Sequence, residues 1–223
     1  MAHPGLVWPV PAADMPITDQ PSNLRRLGII HRWDGAPGAD WYPWLRDELR
    51  ALDPPPFDAI GIPELPDPGT PRPETWVPAL LEWLGDDPRD RAATVLVGHS
   101  VGCQTIARAL AQGGPPVEGC LLVAPWFWLD EHERDETSEL WATPFDDAAA
   151  RAGAGKVVAL LSTDDPYTSD WEANGRACKE RLGAEVVVEP GAEHFTRERE
   201  PKVLELLLER FGRAAGDPEA SAP

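Results

Sequence analysis

TVLVGHSVGCQTIARAL, residues 94–110, changes character once, at Gly98-His99-Ser100-Val101-Gly102. Before that point ATVLVG (93–98) is a short apolar run, which predicts a strand buried on both faces. After it, apolar residues recur at helical spacing and predict a helix over 100–112. A five-residue G-x-S-x-G match is weak by itself. At a strand-to-helix junction it meets the requirement of a nucleophile elbow, where a serine sits on a strained turn with its hydroxyl clear of the backbone. Gly98 and Gly102 remove side chains that would collide there, and the helix start aims N–H groups at developing negative charge. The alternative is a Gly-Ser turn without chemistry, and partners for Ser100 elsewhere in the chain decide between the two.

Outward from this segment, strand and helix patterns alternate. RRLGIIH (25–31), FDAIGI (57–62), VEGCLLVAPW (117–126), KVVALLS (156–162) and AEVVVE (184–189) read as further strands. Trp41, Trp44, Leu45, Leu49 and Leu52 mark a helix, with Asp40 its expected N-cap and Pro43 in its first turn. Trp76, Leu80, Leu81, Trp83 and Leu84 mark another. A helix around 169–182 and one carrying Val203, Leu204, Leu207, Leu208 and Phe211 complete the series. This alternation implies right-handed crossovers and an α/β fold with a mostly parallel sheet of about six strands. Reactive groups in such folds lie beyond the carboxyl ends of the strands. Residues 1–23, with five prolines, read as an extended arm, 24–214 as one domain and 215–223 as a frayed tail.

The partners sit in the expected places. Asp164 and Asp165 follow the strand at 156–162, and His194 lies in a loop after the strand at 184–189. The order Ser, Asp, His is that of α/β-hydrolases. His194 would take the Ser100 proton and return it, while an aspartate holds its tautomer. Asp165 is favoured for that role, and the other of the pair is a turn or capping residue before Pro166.

With these residues in hand the chain resembles the small α/β-hydrolases related to retinoblastoma-binding protein nine and their bacterial relatives. The matching stretches are IIH…DWYPWLRDEL (29–49), LPDPGTPRPETW (65–76), LVGHSVGC (96–103), STDDPY (162–167) and EHF (193–195), in family order. The resemblance implies a one-domain serine hydrolase with little lid, and a triad of Ser100, His194 and, as the aspartate before proline, Asp165. It also implies an oxyanion hole from the Val101 N–H and a backbone N–H near Arg32 or Trp33. Arg32 stands where the family usually has glycine. Either its guanidinium meets a substrate anion or it is a solvated arginine whose backbone alone matters.

Residues 125–147 read as an insert over the elbow, with Trp126, Phe127, Trp128 and Trp141 around a run (130–139) of six acids and one arginine. Trp33, Trp126, Trp128, Trp141 and Trp171 are the pocket candidates among ten tryptophans; the same residues would serve equally to pack the insert on the body. The acidic run reads as a solvated face. His31 is expected to shape the oxyanion turn at the edge of the substrate site, and His99 to be structural.

The 223 residues carry 20 Lys+Arg against 38 Asp+Glu, a net charge of −18, which suits neither nucleic acid nor an anionic membrane. Hydrophobic content of 42% excludes wholesale disorder. No apolar run approaches the length of a membrane span, and MAHPGLVWPVP lacks the basic start of a signal peptide. Cys103, Cys120 and Cys178 have no metal spacing and fit a reduced, cytoplasmic protein. No phosphate-binding or dinucleotide-binding loop appears, so no cofactor and no metal are inferred. The expected activity is cleavage of an ester or thioester of a small-molecule substrate with an apolar or aromatic acyl part, through a Ser100 acyl-enzyme. Two other readings stand beside it: a lyase, cyclase or acyltransferase on the same fold, motivated by Arg32 and the Trp-rich pocket, and a non-enzymatic interaction protein docking through the arm or the acidic insert.

Overall fold

The computed structural model describes residues 24–212; the predicted arm (1–23) and tail (215–223) lie outside them. The six apolar runs become six strands: β1 (Arg26–Ile30), β2 (Ala59–Gly61), β3 (Thr94–His99), β4 (Gly119–Val123), β5 (Lys156–Ser162) and β6 (Glu185–Glu189). They form one sheet in the order β2-β1-β3-β4-β5-β6, and every pairing is parallel. The chain starts in the middle, steps outward to β2, and returns past β1 to β3. Strand order therefore reverses between β1 and β3, and a crevice opens beyond their carboxyl ends.

Eight helices cover the sheet among the described residues: α1 (Tyr42–Arg50), α2 (Pro73–Leu84), α3 (Pro88–Ala92), α4 (Val101–Ala111), α5 (Glu136–Trp141), α6 (Asp147–Gly153), α7 (Trp171–Leu182) and α8 (Pro201–Phe211). Leu27, Ile29, Val95 and Val97 point to one face, against Tyr42, Leu45 and Leu49 of α1 and Val203, Leu207 and Phe211 of α8. Ile30, Leu96 and Leu122 point to the other, against α2, α4, α6 and α7. Alternate residues of each strand thus feed two separate cores, which is why the strands read as unbroken apolar runs. Burying each Leu or Val side chain contributes roughly 1.5–3 kcal/mol.

Three short helices escape the periodicity. Helix α3 (PRDRA) has no apolar stripe and rests on Asp87, whose side chain accepts the Arg89 N–H, with Pro88 in the first turn. Helix α5 starts in a capping box between Asp135 and Ser138, and α6 is capped by Asp146. Asp40 does not cap α1. Trp41 occupies that position without a side-chain bond, and Asp40, at φ 50°, turns its carboxylate to Arg32 instead.

The insert is clamped onto the body. Asn174 of α7 accepts the N–H groups of Phe127 (2.7 Å) and Trp128 (3.1 Å) and donates to Trp128 O. Arg108 donates to the carbonyls of Trp141 and Thr143 and lies over the Trp141 and Phe145 rings. Arg181 lies over Phe127 and Phe145 and pairs with Asp147.

Candidate active site

The loops after β1, β3, β5 and β6, with the insert, enclose a cavity of about 450 Å³ lined by Ser100 and His194. Ser100 stands between β3 and α4 at φ 54°, ψ −119°, a conformation that costs a non-glycine residue about 1–3 kcal/mol. What holds it is close packing. A Cβ at Gly98 would lie 2.8 Å from the Cys103 N, and one at Gly102 would fall against the Ile30 carbonyl and 2.8 Å from that of His31. Gly98 lets the start of α4 sit against β3, and Gly102 lets it sit against the end of β1. Ser100 is 7% exposed, and its hydroxyl has no hydrogen-bond partner among the described residues. The Val101 N–H, first in the helix, is also unpartnered there, as helix starts leave it.

His194 Nδ1 lies 2.7 Å from Asp165 Oδ2, and both side chains are buried. The carboxylate can only accept, so Nδ1 carries the hydrogen and Nε2 keeps its lone pair. The Tyr167 N–H fixes the other oxygen of Asp165 at 3.0 Å. Asp164 is occupied elsewhere: it accepts from the Ser162 hydroxyl (2.6 Å) and the Glu193 N–H (3.2 Å), and the Ser162 bond holds its carboxyl below the usual range. Glu193 (φ 51°) and Phe195 (φ 54°) bend the chain on both sides of His194.

A buried chain of hydrogen bonds ties this loop to the one after β1. The Arg32 N–H donates to Tyr42 Oη (3.1 Å), which lies 2.7 Å from His99 Nδ1, and His99 Nε2 lies 2.8 Å from the His194 carbonyl. A carbonyl cannot donate, so Nε2 carries the His99 hydrogen and the Tyr42 hydroxyl donates to Nδ1. Burial and the nearby His194 push His99 well below its ordinary value, and it is neutral in this chain. Trp41 adds a second tie, its indole N–H donating to Phe195 O at 2.8 Å. Asp40, Trp41 and Tyr42 thus each brace a different loop of the site. Helical spacing explained Trp41 only as core, and no pattern pointed to the bracing.

Several expected site residues lie elsewhere. The Arg32 N–H is taken by Tyr42, so Arg32 is no oxyanion-hole donor, and its guanidinium grips both oxygens of Asp40 (2.8 and 3.2 Å), so it holds no substrate anion. The Trp33 N–H has no partner among the described residues. His31 is fully buried outside the cavity: Nε2 accepts the Leu65 N–H, Nδ1 faces Arg32 O, and burial lowers its proton affinity. Trp141 is core, donating to Pro71 O and packed edge-on to Trp76. Trp128, half exposed, faces a neighbouring cleft with Arg134 and Glu139. Trp33 and Trp126 do line the cavity. So do Asp34, Leu129, Glu133, Asp135, Tyr167 and Thr196, none of which the sequence singled out. Tyr167 stands edge-on to His194, 4.6 Å between ring centres. Glu133 and Asp135 belong to the acidic run read as a solvated face; Asp135 is exposed and Glu133 half-buried, and both also border the cavity.

Cys103, Cys120 and Cys178 are free and buried, and burial pushes all three thiols up, with Cys120 and Cys178 raised to about 12. No thiolate nucleophile is available from them. No helix among the described residues is long and apolar enough to cross a membrane, and no group of metal-binding side chains occurs among them.

Comparison with known proteins bears on this arrangement. The model of the serine hydrolase family matches residues 27–209. No curated protein matches the sequence. Among solved structures, the ydeN gene product from B. subtilis is 22% identical, with a TM-score of 0.68 over 83% of this chain and 97% of that one. A structure from work on carboxylesterases of the thaumarchaeon Nitrososphaera gargenis is 15% identical, with a TM-score of 0.61 over 83% and 89%. Est1E from Butyrivibrio proteoclasticus with ferulic acid bound is 15% identical, with a TM-score of 0.60 over 88% and 91%. Identities this low speak for the shared fold alone.

Proposed function

The chain belongs to the serine hydrolase family, and from that premise we propose that it cleaves carboxylic esters or thioesters through a Ser100 acyl-enzyme. The observation that carries the proposal is an unpartnered Ser100 hydroxyl in the same cavity as a His194 whose Nδ1 is committed to Asp165. In this reading Ser100 Oγ attacks the acyl carbon and its proton passes to His194 Nε2. The tetrahedral oxyanion is met by the N–H groups of Val101 and Trp33, each worth about 10²–10³ in rate. The acyl C–O or C–S bond breaks, and the leaving group takes the proton back. Water then repeats the sequence in reverse. Apolar walls at Trp33, Trp126 and Leu129 suit an apolar or aromatic acyl part.

Within the family we further propose kinship with the small hydrolases related to retinoblastoma-binding protein nine, on DWYPWL (40–45) and STDDPY (162–167), and a reducing, cytoplasmic setting, on three unpaired thiols. The non-hydrolytic reading drew its motives from Arg32 and a Trp-rich pocket. With the Arg32 side chain on Asp40 and the Trp33 N–H unpartnered, the first of these motives falls away.

The test is labelling with a fluorophosphonate, followed by intact mass. One adduct on the wild type, absent from Ser100→Ala and strongly slowed in His194→Ala, is the expected result. A folded wild type that takes no label overturns the reading.

A further inference from the structure

We propose that the substrate carries a cationic, ammonium-type group, received in the Ser100 cavity by the aromatic faces of Trp33, Trp126 and Tyr167 and the carboxylates of Asp34, Glu133 and Asp135. The inference rests on the hydrolase reading and names the chemistry that its cavity selects.

Charge on the cavity wall is one-sided. Arg32 is the single arginine or lysine of the lining, and its guanidinium is spent on Asp40. Against it stand three carboxylates that no arginine or lysine pairs. Asp34 has no side-chain hydrogen bond among the described residues. Asp135 gives one oxygen to the Ser138 N–H at the start of α5 and keeps the other. Glu133 has one chargeable neighbour, the exposed His132 at 3.3 Å. Arg134, next in sequence, turns away: its Nε donates to Leu129 O, and its side chain lines the neighbouring cleft. An anionic substrate would meet repulsion here with no free cation to offset it.

Acidic residues at a rim do not make a site by themselves. The same cavity, however, receives Ser100, a buried residue whose hydroxyl has no partner among the described residues. It also receives three aromatic side chains, the other half of what recognises an alkylammonium: ring faces attract a cation that is too weakly hydrated to prefer water. The whole chain, at −18, adds a field that draws cations toward a low-dielectric cleft and speeds their encounter. The cationic group takes no part in the bond changes. The acyl bond breaks as before, and the charge fixes where the ester lies.

A matched pair of substrates tests this: the p-nitrophenyl ester of γ-trimethylammoniobutyrate, and its isostere with a quaternary carbon in place of nitrogen. Shape is constant and only charge differs. The readout is the ratio of kcat/KM, cation over isostere, normalised to the spontaneous hydrolysis of each. The expected ratio is about tenfold or more at low salt, from cation–π and carboxylate attraction together. It should shrink toward unity at about 1 M salt, where the Debye length is about 3 Å. It should also fall in Glu133→Gln and in Asp135→Asn; asparagine still caps a helix, so α5 survives the second change. A wild-type ratio of one or below, with both esters turned over, overturns the cation proposal and leaves the hydrolase reading intact. If neither ester turns over, fluorophosphonate labelling still decides the hydrolase reading, and calorimetric titration with benzyltrimethylammonium decides the cavity's preference. One-site binding that weakens severalfold in the Glu133→Gln/Asp135→Asn double variant upholds the cation site, and no binding overturns it.

Discussion

Replacing Tyr42 by Phe removes one oxygen from the interior and tests the bracing of the site directly. That oxygen is fully buried, accepts from the Arg32 N–H and donates to His99 Nδ1. Phenylalanine keeps the ring and its edge-on contacts with Trp41 and His99, so packing is nearly unchanged. Two polar groups, the Arg32 N–H and His99 Nδ1, lose their partner. An orphaned buried group costs about 1–3 kcal/mol; the Arg32 N–H is only part-buried, so the expected loss for the two is about 2–4 kcal/mol. Native domains hold roughly 5–15 kcal/mol, and the variant should still fold. Urea unfolding of both proteins gives the difference, read as a shift in midpoint at unchanged slope. A second readout separates bracing from bulk stability. If the chain Arg32–Tyr42–His99–His194 sets the spacing between the loops, kcat should drop about tenfold in fully folded variant while KM changes little, because the misplaced groups act in the transition state. A midpoint shift worth less than about 0.5 kcal/mol would refute the hydrogen-bond reasoning. A large shift with unaltered kcat would leave Tyr42 a core residue and no more.

Three further outcomes are expected. Asp165→Asn should lower kcat by about 10⁴, as loss of the orienting carboxylate does in Ser-His-Asp enzymes, while Asp164→Asn, which loosens only the Ser162 and Glu193 bonds, should stay within about tenfold; equal losses would contradict the assignment. Gly102→Ala presses a methyl group onto the Ile30 and His31 carbonyls and should cost about 1–3 kcal/mol, or about 2–12 °C of melting temperature; an unchanged melting curve would mean that the junction of β1 and α4 is loose. Because burial lowers the His99 proton affinity well below that of an exposed imidazole, the unfolded chain gains a proton near pH 6.5 that the folded chain refuses, so this part of the stability is intact above that pH and is lost as pH falls below it, by up to about 1.4 kcal/mol per pH unit. Urea midpoints across this range check it, and a His99→Gln variant with the same slope would assign the effect elsewhere.

What the sequence disclosed and what it hid follow from the range of the forces involved. β3 and α4 were legible because apolar period and glycine placement are local, and Ser100 with them. Asp165 and His194 were legible because parallel topology returns every strand end to one edge. The insert was legible as an insert but not in its parts. Trp126 and Trp141 have the same chemistry and stand on the same segment, yet one faces the cavity and the other the core. Contacts from α7 and Arg108 decide that, and nothing adjacent in sequence encodes them. Arg32 was misread for the same reason. Its partner Asp40, eight residues on, had been assigned to a helix cap on local propensity, and the ion pair won. Tyr167 carried no signal beyond lying two residues after Asp165.

The bracing and the one-sided charge explain together how a cavity with pre-set walls selects anything. Enzymes that close a lid over the substrate spend binding energy on assembling the site. Here Asp40, Trp41 and Tyr42 at the start of α1 already hold the loops after β1, β3 and β6, and Asn174 and Arg108 hold the insert. Little remains for the substrate to organise. Discrimination must then come from what the fixed walls present, and apolar faces separate similar acyl groups by only about 1–3 kcal/mol. Charge separates them further, since a carboxylate left facing an anion is repelled while one facing a cation is paired. Asp34 and Asp135 are exposed and Glu133 is half-buried, so salt screens them, and the selectivity they supply should act on encounter and KM more than on the chemical step. The acidic run of the insert is in this sense the part of the protein that chooses, and Ser100 the part that reacts.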